Sequence, residues 1–292
     1  MSPEIDHHAR EIVSRIVLKG IPWDANSSFC RGAAEAPNHI RKAFHSPSAN
    51  YFSESGLDFK DHSLLEDRGD LHLSGQEGAQ ALVEQEVAGI LNEGRRPLLL
   101  GGDHALTYPA LRAMGTHYAG LTVIHFDAHP DLYDELDGNR FSHACPFARA
   151  MESGRVARLI QVGIRATTRH QRVQAQRFGV EMHEMRHRPW RLPTIFSGPI
   201  YISLDLDVLD PAFAPGVSHF EPGGLTTREL IDILQGLKGR VVGADIVEFN
   251  PRQDASGRTA MVAAKLLKEM ATLMIQAEGP GGEGAGRKPT GS

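Results

Sequence analysis

Cysteine is nearly missing from this chain. Only Cys30 and Cys145 occur in 292 residues, and they form neither a CxxC pair nor a framework of bridges. That excludes a disulfide-built secreted scaffold and suits a reducing cytoplasm. Both are read as small packed residues rather than nucleophiles. No apolar run is long enough to span a bilayer, and Asp6, His7, His8, Arg10 and Glu11 stand where a secretory leader would need its apolar region. A soluble cytoplasmic protein with no membrane partner is therefore expected. Positive charge is not in excess either. A net charge of −5 without runs of like charge argues against a nucleic-acid partner. Repeats and long internal linkers are also lacking between residues 10 and 278. This predicts a single domain over 1–278, with a loop-rich stretch at about 45–70. Residues 279–292 are Gly-rich, polar and aperiodic, and read as a disordered tail.

What the chain does have is strand-like runs alternating with helical patterns. The runs are "SRIVLKGI", "PLLLGG", "LTVIHFDAH", "ARLIQVGIR", "FGVEMHEM", "PIYISLDLDVL" and "GRVVGADIVEF". One helix is expected to open at Ser74 with Glu77 as its capping partner, run through Leu82, Val83, Ile90 and Leu91, and stop at Gly94. A second is expected to open at Thr226 with Glu229, placing Leu230, Ile233, Leu234 and Leu237 on one stripe. Strands alternating with helices imply βαβ units, hence an α/β fold with a mostly parallel sheet covered on both faces. In such sheets the ligand site lies beyond the carboxyl ends of the strands.

The ionisable residues collect at those ends. "LLLGGDH" places Asp103 and His104 after one strand. "VIHFDAHPD" places His125, Asp127, His129 and Asp131 at the end of another, and "SLDLDVLDP" places Asp205 and Asp207 near a third. Alternate residues of an extended strand share a face, so the Asp/His series would crowd its carboxylates together. Crowded, desolvated carboxylates call for a cation. His104, Asp127, His129, Asp131, Asp205 and Asp207 are too many for one tetrahedral ion but suit two ions about 3.5 Å apart with shared carboxylates. Oxygen-rich ligation with two imidazoles and no thiolate fits two Mn²⁺, with Ni²⁺, Co²⁺ or Zn²⁺ left open. Asp103 is expected to orient the His104 imidazole from behind. His125 is read as a core histidine, and His7, His8, His183 and His187 as surface residues.

With these motifs the sequence resembles the ureohydrolases, the family of arginases, agmatinases and related guanidino-group hydrolases. "GGDH" at 101–104, "DAHPD" at 127–131 and "SLDLDVLDP" at 203–211 stand in the family's order. The wording "SHA", "VSHFEPGGL" and "VEFNP" is most like plant-type arginases. The likeness runs from about residue 15 to 275. It implies a three-layer α/β/α fold around a sheet of about eight strands, two Mn²⁺ ions, and a homotrimer or homohexamer. It also implies that His104, Asp127, Asp131 and Asp205 hold one ion and Asp127, His129, Asp205 and Asp207 the other. Ala105 and Ala144 stand where many relatives carry serine and glycine; neither change removes a ligand.

Hydrolysis of a guanidinium needs a hydroxide at neutral pH, a flat anchor for the cation, and a proton for the leaving nitrogen. A metal pair supplies the first by lowering the pKa of bound water. Glu248, at the end of "GADIVEF", is the candidate for the second, accepting two N–H bonds. For the third, His143 matches the family's proton shuttle, and Asp131 is expected to pass a proton to the leaving amine. His219 and Asn250 are candidates for the pocket wall. The expected reaction is L-arginine to L-ornithine plus urea, with agmatine or another guanidino compound as the alternative substrate. Animal-type arginases use an asparagine where this chain has Tyr133, so Asn26, Ser27, Asn139 and Arg140 are the candidates for the amino-acid end. A metallophosphoesterase would need a GNH[DE] segment, which "GNRFSH" does not supply. A zinc deacetylase would need a paired-histidine motif within the core. An inactive partner subunit should have lost ligands, and all six are present.

Overall fold

The computed structural model describes residues 15–73 and 78–276. Its strands and helices alternate along the chain: β1 (Ile16–Gly20), α1 (Ala36–Phe44), β2 (Leu65–Asp70), α2 (Ala79–Asn92), β3 (Arg96–Leu100), α3 (Thr107–His117) and β4 (Leu121–Phe126). Next come α4 (Pro146–Glu152), β5 (Val156–Ile164), α5 (Arg169–Phe178), β6 (Glu181–Glu184), β7 (Ile195–Asp205), α6 (Thr227–Gly236), β8 (Lys238–Val247) and α7 (Arg258–Gln276). The strands form one sheet in the order β2-β1-β3-β8-β7-β4-β5-β6. Every pairing is parallel.

Successive strand residues serve opposite faces. Leu98 and Leu100 pack with Ile124, Phe126, Ile202 and Leu204 against α1, α6 and α7. Leu99 and Val123 pack against α2, α3 and α4 with Tyr201 and Val242. Two apolar layers on one sheet explain why the central strands are apolar at nearly every position rather than alternating. The result is the three-layer α/β/α arrangement that the sequence implied.

Three local features differ from the sequence reading or fall outside it. β2 lies in the stretch expected to be loops. Its residues "LEDRGD" bury only Leu65, because an edge strand pairs on one side and leaves its side chains wet. The capping box expected at Ser74 and Glu77 lies outside the described residues; α2 begins at Ala79 after Gly78, whose φ is 78°. The second capping box is present: Thr226 Oγ1 accepts from Glu229 N at 3.1 Å, and Glu229 Oε2 accepts from Thr226 N at 2.8 Å. That helix ends at Gly236, leaving Leu237 buried just past it. No helix among the described residues is long and apolar enough to cross a membrane.

Candidate metal centre and active-site cleft

The middle strands β3, β8, β7 and β4 are neighbours, and the chain leaving each carries ionisable side chains. After β3 the backbone passes so close to residue 23 that a Cβ on Gly102 would lie 1.7 Å from the Trp23 carbonyl oxygen. The turn then tightens into a short helical turn, His104–Leu106, capped by Asp103. Asp103 Oδ1 accepts from Ala105 N at 3.1 Å and Oδ2 from Asn26 N at 2.8 Å. A side chain committed to backbone amides in this way does not reach the His104 ring, contrary to the sequence expectation.

The ring is oriented from behind by β7 and β8 instead. His104 Nε2 meets Ser203 Oγ at 2.9 Å, and Ser203 Oγ donates to Asp245 Oδ1 at 2.7 Å. Asp245 also accepts from Tyr201 Oη at 2.8 Å and Thr107 Oγ1 at 2.9 Å. Because the serine proton goes to Asp245, the serine oxygen accepts from His104, so Nε2 carries the proton and Nδ1 holds its lone pair.

That lone pair faces an unusual company. His104 Nδ1 is buried and without a hydrogen-bond partner. It lies 3.0 Å from Asp131 Oδ2 and 3.3 Å from both Asp127 Oδ2 and Asp205 Oδ2. A lone pair facing three carboxylate oxygens is repelled unless a cation sits among them or the ring takes a second proton. Ligand atoms held at about 2.1 Å in octahedral geometry lie about 3.0 Å apart, so this spacing suits a divalent ion. A second cluster adjoins the first: His129 Nδ1 lies 2.9 Å from Asp207 Oδ2 and 3.4 Å from Asp127 Oδ1. Asp127 thus offers one oxygen to each cluster. Asp205 Oδ1 is occupied by Asp207 N at 2.8 Å, which leaves its Oδ2 facing the first.

The charges respond to this crowding. Burial and the charges of Asp207 and Asp127 push Asp205 well above the ordinary carboxylate range. Burial and Asp127 raise Asp207 to about 6. Burial opposes the charging of Asp127, but the surrounding imidazoles of His125, His104 and His129 hold it well below the usual range. His125 is near the same carboxylate yet has no free nitrogen. Its Nε2 bonds Asp127 Oδ2 at 2.7 Å, and its Nδ1 receives Gln161 Nε2 at 3.0 Å. The Gln161 amide also donates to the Pro130 carbonyl at 2.6 Å, which fixes its orientation. Burial lowers the His125 pKa below the ordinary imidazole value, against the opposing pull of Asp127.

A cavity of about 450 Å³ opens over the two clusters, floored by His129, Asp131, Asp205 and Asp207 and flanked by His143 and Glu248. Asp131 and Glu248 both adopt left-handed backbone, with φ of 49° and 62°, a conformation that costs a non-glycine residue about 1–3 kcal/mol. Glu248 Oε1 accepts from His104 N at 2.8 Å and lies 3.1 Å from His143 Nδ1, while Oε2 is buried and unpartnered. Burial opposes the charge on Glu248, but the His143 proton and the His104 N–H keep its pKa below the usual value. Burial likewise opposes the His143 charge. The hydrogen bond to Glu248 and the charges of Glu248, Asp131 and Asp103 nonetheless raise that imidazole to about 9. Its Nε2 meets Ser28 Oγ at 2.9 Å, and its ring stacks on His219 at 5.1 Å.

The remaining candidates separate. His219 lines the cavity, together with Ser28, Tyr133, Thr167, Gln171 and Glu221. Asn26 and Asn139 line a neighbouring groove with Trp23 and Phe141, bonded to each other at 3.0 Å. The Asn26 carbonyl also accepts from His143 N at 3.2 Å. Ser27 lines neither recess. Arg140 faces solvent, paired with Asp134 at 3.0 Å and Glu152 at 3.2 Å. Asn250 is buried behind the wall, donating to Cys30 O and Ser218 Oγ at 3.2 and 2.9 Å. His183 is half-buried on β6 near Trp190 rather than out on the surface. Sequence reading missed Ser28, one residue beyond Asn26 and Ser27, and Glu221, whose "HFEPGG" setting enters it only as family wording.

A model of the arginase family matches residues 14–272. An arginase of Glycine max is 45% identical over 286 residues, covering 92% of this chain and 81% of that protein. An agmatinase of Bacillus anthracis is 32% identical, covering 88% and 91%. The solved structure of an arginase from Medicago truncatula superposes with a TM-score of 0.85 at 42% identity, covering 90% of this chain and 88% of that one. On the fold, the spacing of its motifs and these likenesses, the chain belongs to the arginase family.

Proposed function

We propose that this chain hydrolyses a guanidino group at a pair of divalent cations, Mn²⁺ for preference, converting L-arginine to L-ornithine and urea. The observation that carries the reading is the buried, unpartnered His104 Nδ1 among three carboxylate oxygens. His104, Asp127, Asp131 and Asp205 would hold one ion, and Asp127, His129 and Asp207 the other, with Asp205 shared. When bound, such a pair supplies water acidified enough to ionise near neutral pH.

The chain's own residues do the rest. Glu248 Oε2 is free to accept guanidinium N–H bonds, and its anionic form matches a planar cation. Glu248 Oε1 and Ser28 fix the two nitrogens of His143, which holds a proton at neutral pH and delivers it to the departing amine. Asp131 relays a proton between the attacking water and that amine. At the outer wall, no described side chain engages the Glu221 carboxylate, which suits the ammonium of the substrate.

Likeness to proteins named arginase at 42–46% identity, against 32% for one named agmatinase, favours arginine. One observation favours agmatine as a second reading: among the described residues the cavity wall carries carboxylates and hydroxyls but no Lys or Arg to meet an α-carboxylate. Urea release from a panel of guanidino compounds with Mn²⁺-loaded protein separates them. The proposal expects kcat/KM for L-arginine to exceed that for agmatine by about 10-fold or more, equivalent to about 1.4 kcal/mol. A ratio at or below one assigns the chain to agmatine. We further propose a single domain over 1–278 that assembles as a homotrimer or homohexamer. The two free thiols suit a reducing compartment, whether cytoplasm or organelle interior; relatives from Arabidopsis thaliana and Oryza sativa are named mitochondrial.

A further inference from the structure

A cation with no carboxylate bonded to it among the described residues lies next to cavity-lining Ala166 and bonds the backbone of cavity-lining Asp207 and Glu221. Arg165 follows β5, and its guanidinium donates only to backbone carbonyls. Nε reaches Glu221 O at 2.8 Å; one terminal nitrogen reaches Gly163 O and Val208 O, both at 3.2 Å; the other reaches Asp207 O and Glu221 O at 2.6 Å and Leu209 O at 3.3 Å. All three guanidinium nitrogens are engaged. The backbone of the same residue grips a third segment: Arg165 N and Ala166 N both donate to Ala128 O, at 2.8 and 3.0 Å. Ala128 sits between Asp127 and His129, and its own N–H bonds Asp207 Oδ1 at 3.0 Å.

The neighbourhood leaves no slack at this point. Gly163 has φ +102°, and a Cβ there would lie 2.5 Å from Val208 Cγ2 and 3.0 Å from Asp127 O. The end of β5 is therefore pressed onto both ligand-bearing segments. On the far side, Asp210 closes the loop that carries His219 and Glu221, accepting from Ala212 N at 2.9 Å and Gly223 N at 2.7 Å. Only a planar fork with five donors can span carbonyls of 207–209 and 221 at once; a lysine ammonium has three donors at one point.

We propose that Arg165 is the positioning residue of the second cation cluster. It locks the 127–129 segment, the 205–209 turn and the Glu221 wall into one body, so that His129 and Asp207 converge and the outer wall keeps its distance from them. The first cluster shares Asp127 and Asp205 with these segments but draws His104 and Asp131 from outside the tie, and His104 is oriented from the other side by Ser203 and Asp245, so it depends on Arg165 less than the second cluster does. The inference rests on the two-cation reading given above.

The test is calorimetric titration of the metal-free full chain with Mn²⁺ for the wild type, Arg165→Lys and Arg165→Met, with Val83→Ala as a core control remote from the site. The wild type should bind two ions, and one or none would overturn the two-cation reading itself. Given two, Arg165→Lys should weaken the second binding event by about 10-fold or more, in the range known for residues that orient ligands, and leave the first within about 3-fold. At saturating Mn²⁺ its KM for the guanidino substrate should rise several-fold while kcat changes little. Arg165→Met should show the larger effect if it folds. Equal weakening of both ions, or the same pattern in Val83→Ala, would reduce Arg165 to a general stabiliser and overturn the inference. Wild-type affinities and KM in Arg165→Lys would overturn it as well.

Discussion

His143 illustrates how much a single side chain's setting decides. Its raised pKa follows from the Glu248 carboxylate 3.1 Å away, and its second nitrogen is held by Ser28. Neither partner belongs to the two carboxylate clusters, so His143→Ala should keep the full metal content, measured by elemental analysis, while turnover falls by about 10²-fold or more. Loss of metal along with activity would move His143 into the ligand set. Asp245 makes the complementary case. It touches no substrate surface, yet through Ser203 it fixes the proton on His104 Nε2 and turns Nδ1 toward the carboxylates. Asp245→Asn keeps the shape and removes the charge. Metal affinity is expected to fall about 10- to 100-fold, read by competition with a chelating dye; unchanged affinity would mean that the relay does not matter to the ligand.

Elements carry these side chains only because certain turns and ties permit it. After β3 the chain bends against residue 23 with no room for a side chain at Gly102. Gly102→Ala must therefore displace backbone and is expected to destabilise by about 2 kcal/mol or more in urea unfolding; wild-type stability would show that the turn yields freely. A different tie joins α6 and α7. Glu54 accepts from Arg228 at 2.9 Å and Gln235 at 3.0 Å and pairs with Lys265 at 3.2 Å. The Arg228 hydrogen bond, opposed by burial and helped by Gln235 and Lys265, lowers Glu54 to about 2 from 4.5. A folded-state pKa below the unfolded value means stability that is present above about pH 4.5 and lost as pH falls toward 2. Glu54→Gln should therefore narrow the difference from wild type as pH drops through that window. A difference independent of pH would show that the charge contributes nothing, the common result for exposed pairs.

Across the whole molecule, legibility followed chemistry more than geometry. The α/β class and the parallel sheet could be read because central strands buried on both faces are apolar throughout, whereas β2 could not, since a wet edge strand such as "LEDRGD" looks like a loop. The six clustered acids and histidines announced themselves by spacing at strand ends. Partners from distant strands did not: nothing in the sequence pairs Ser203 and Asp245 with His104, and nothing tells that Asp103 caps a turn instead. Arg165 was invisible for the same reason, because its partners are backbone carbonyls, which every residue has. Substrate contacts were least legible. Loop residues such as Ser27 and Arg140 are near in sequence to the cavity but turned elsewhere, and Glu221 reaches the wall from more than fifty residues after Arg165.

The central claim is that two adjoining clusters, linked by Asp127, each hold a divalent ion. Elemental analysis of the purified chain after equilibration with Mn²⁺ and removal of free metal tests it most directly. The account predicts a content approaching two ions per chain; a single tightly held ion per chain, however active the protein, would contradict it.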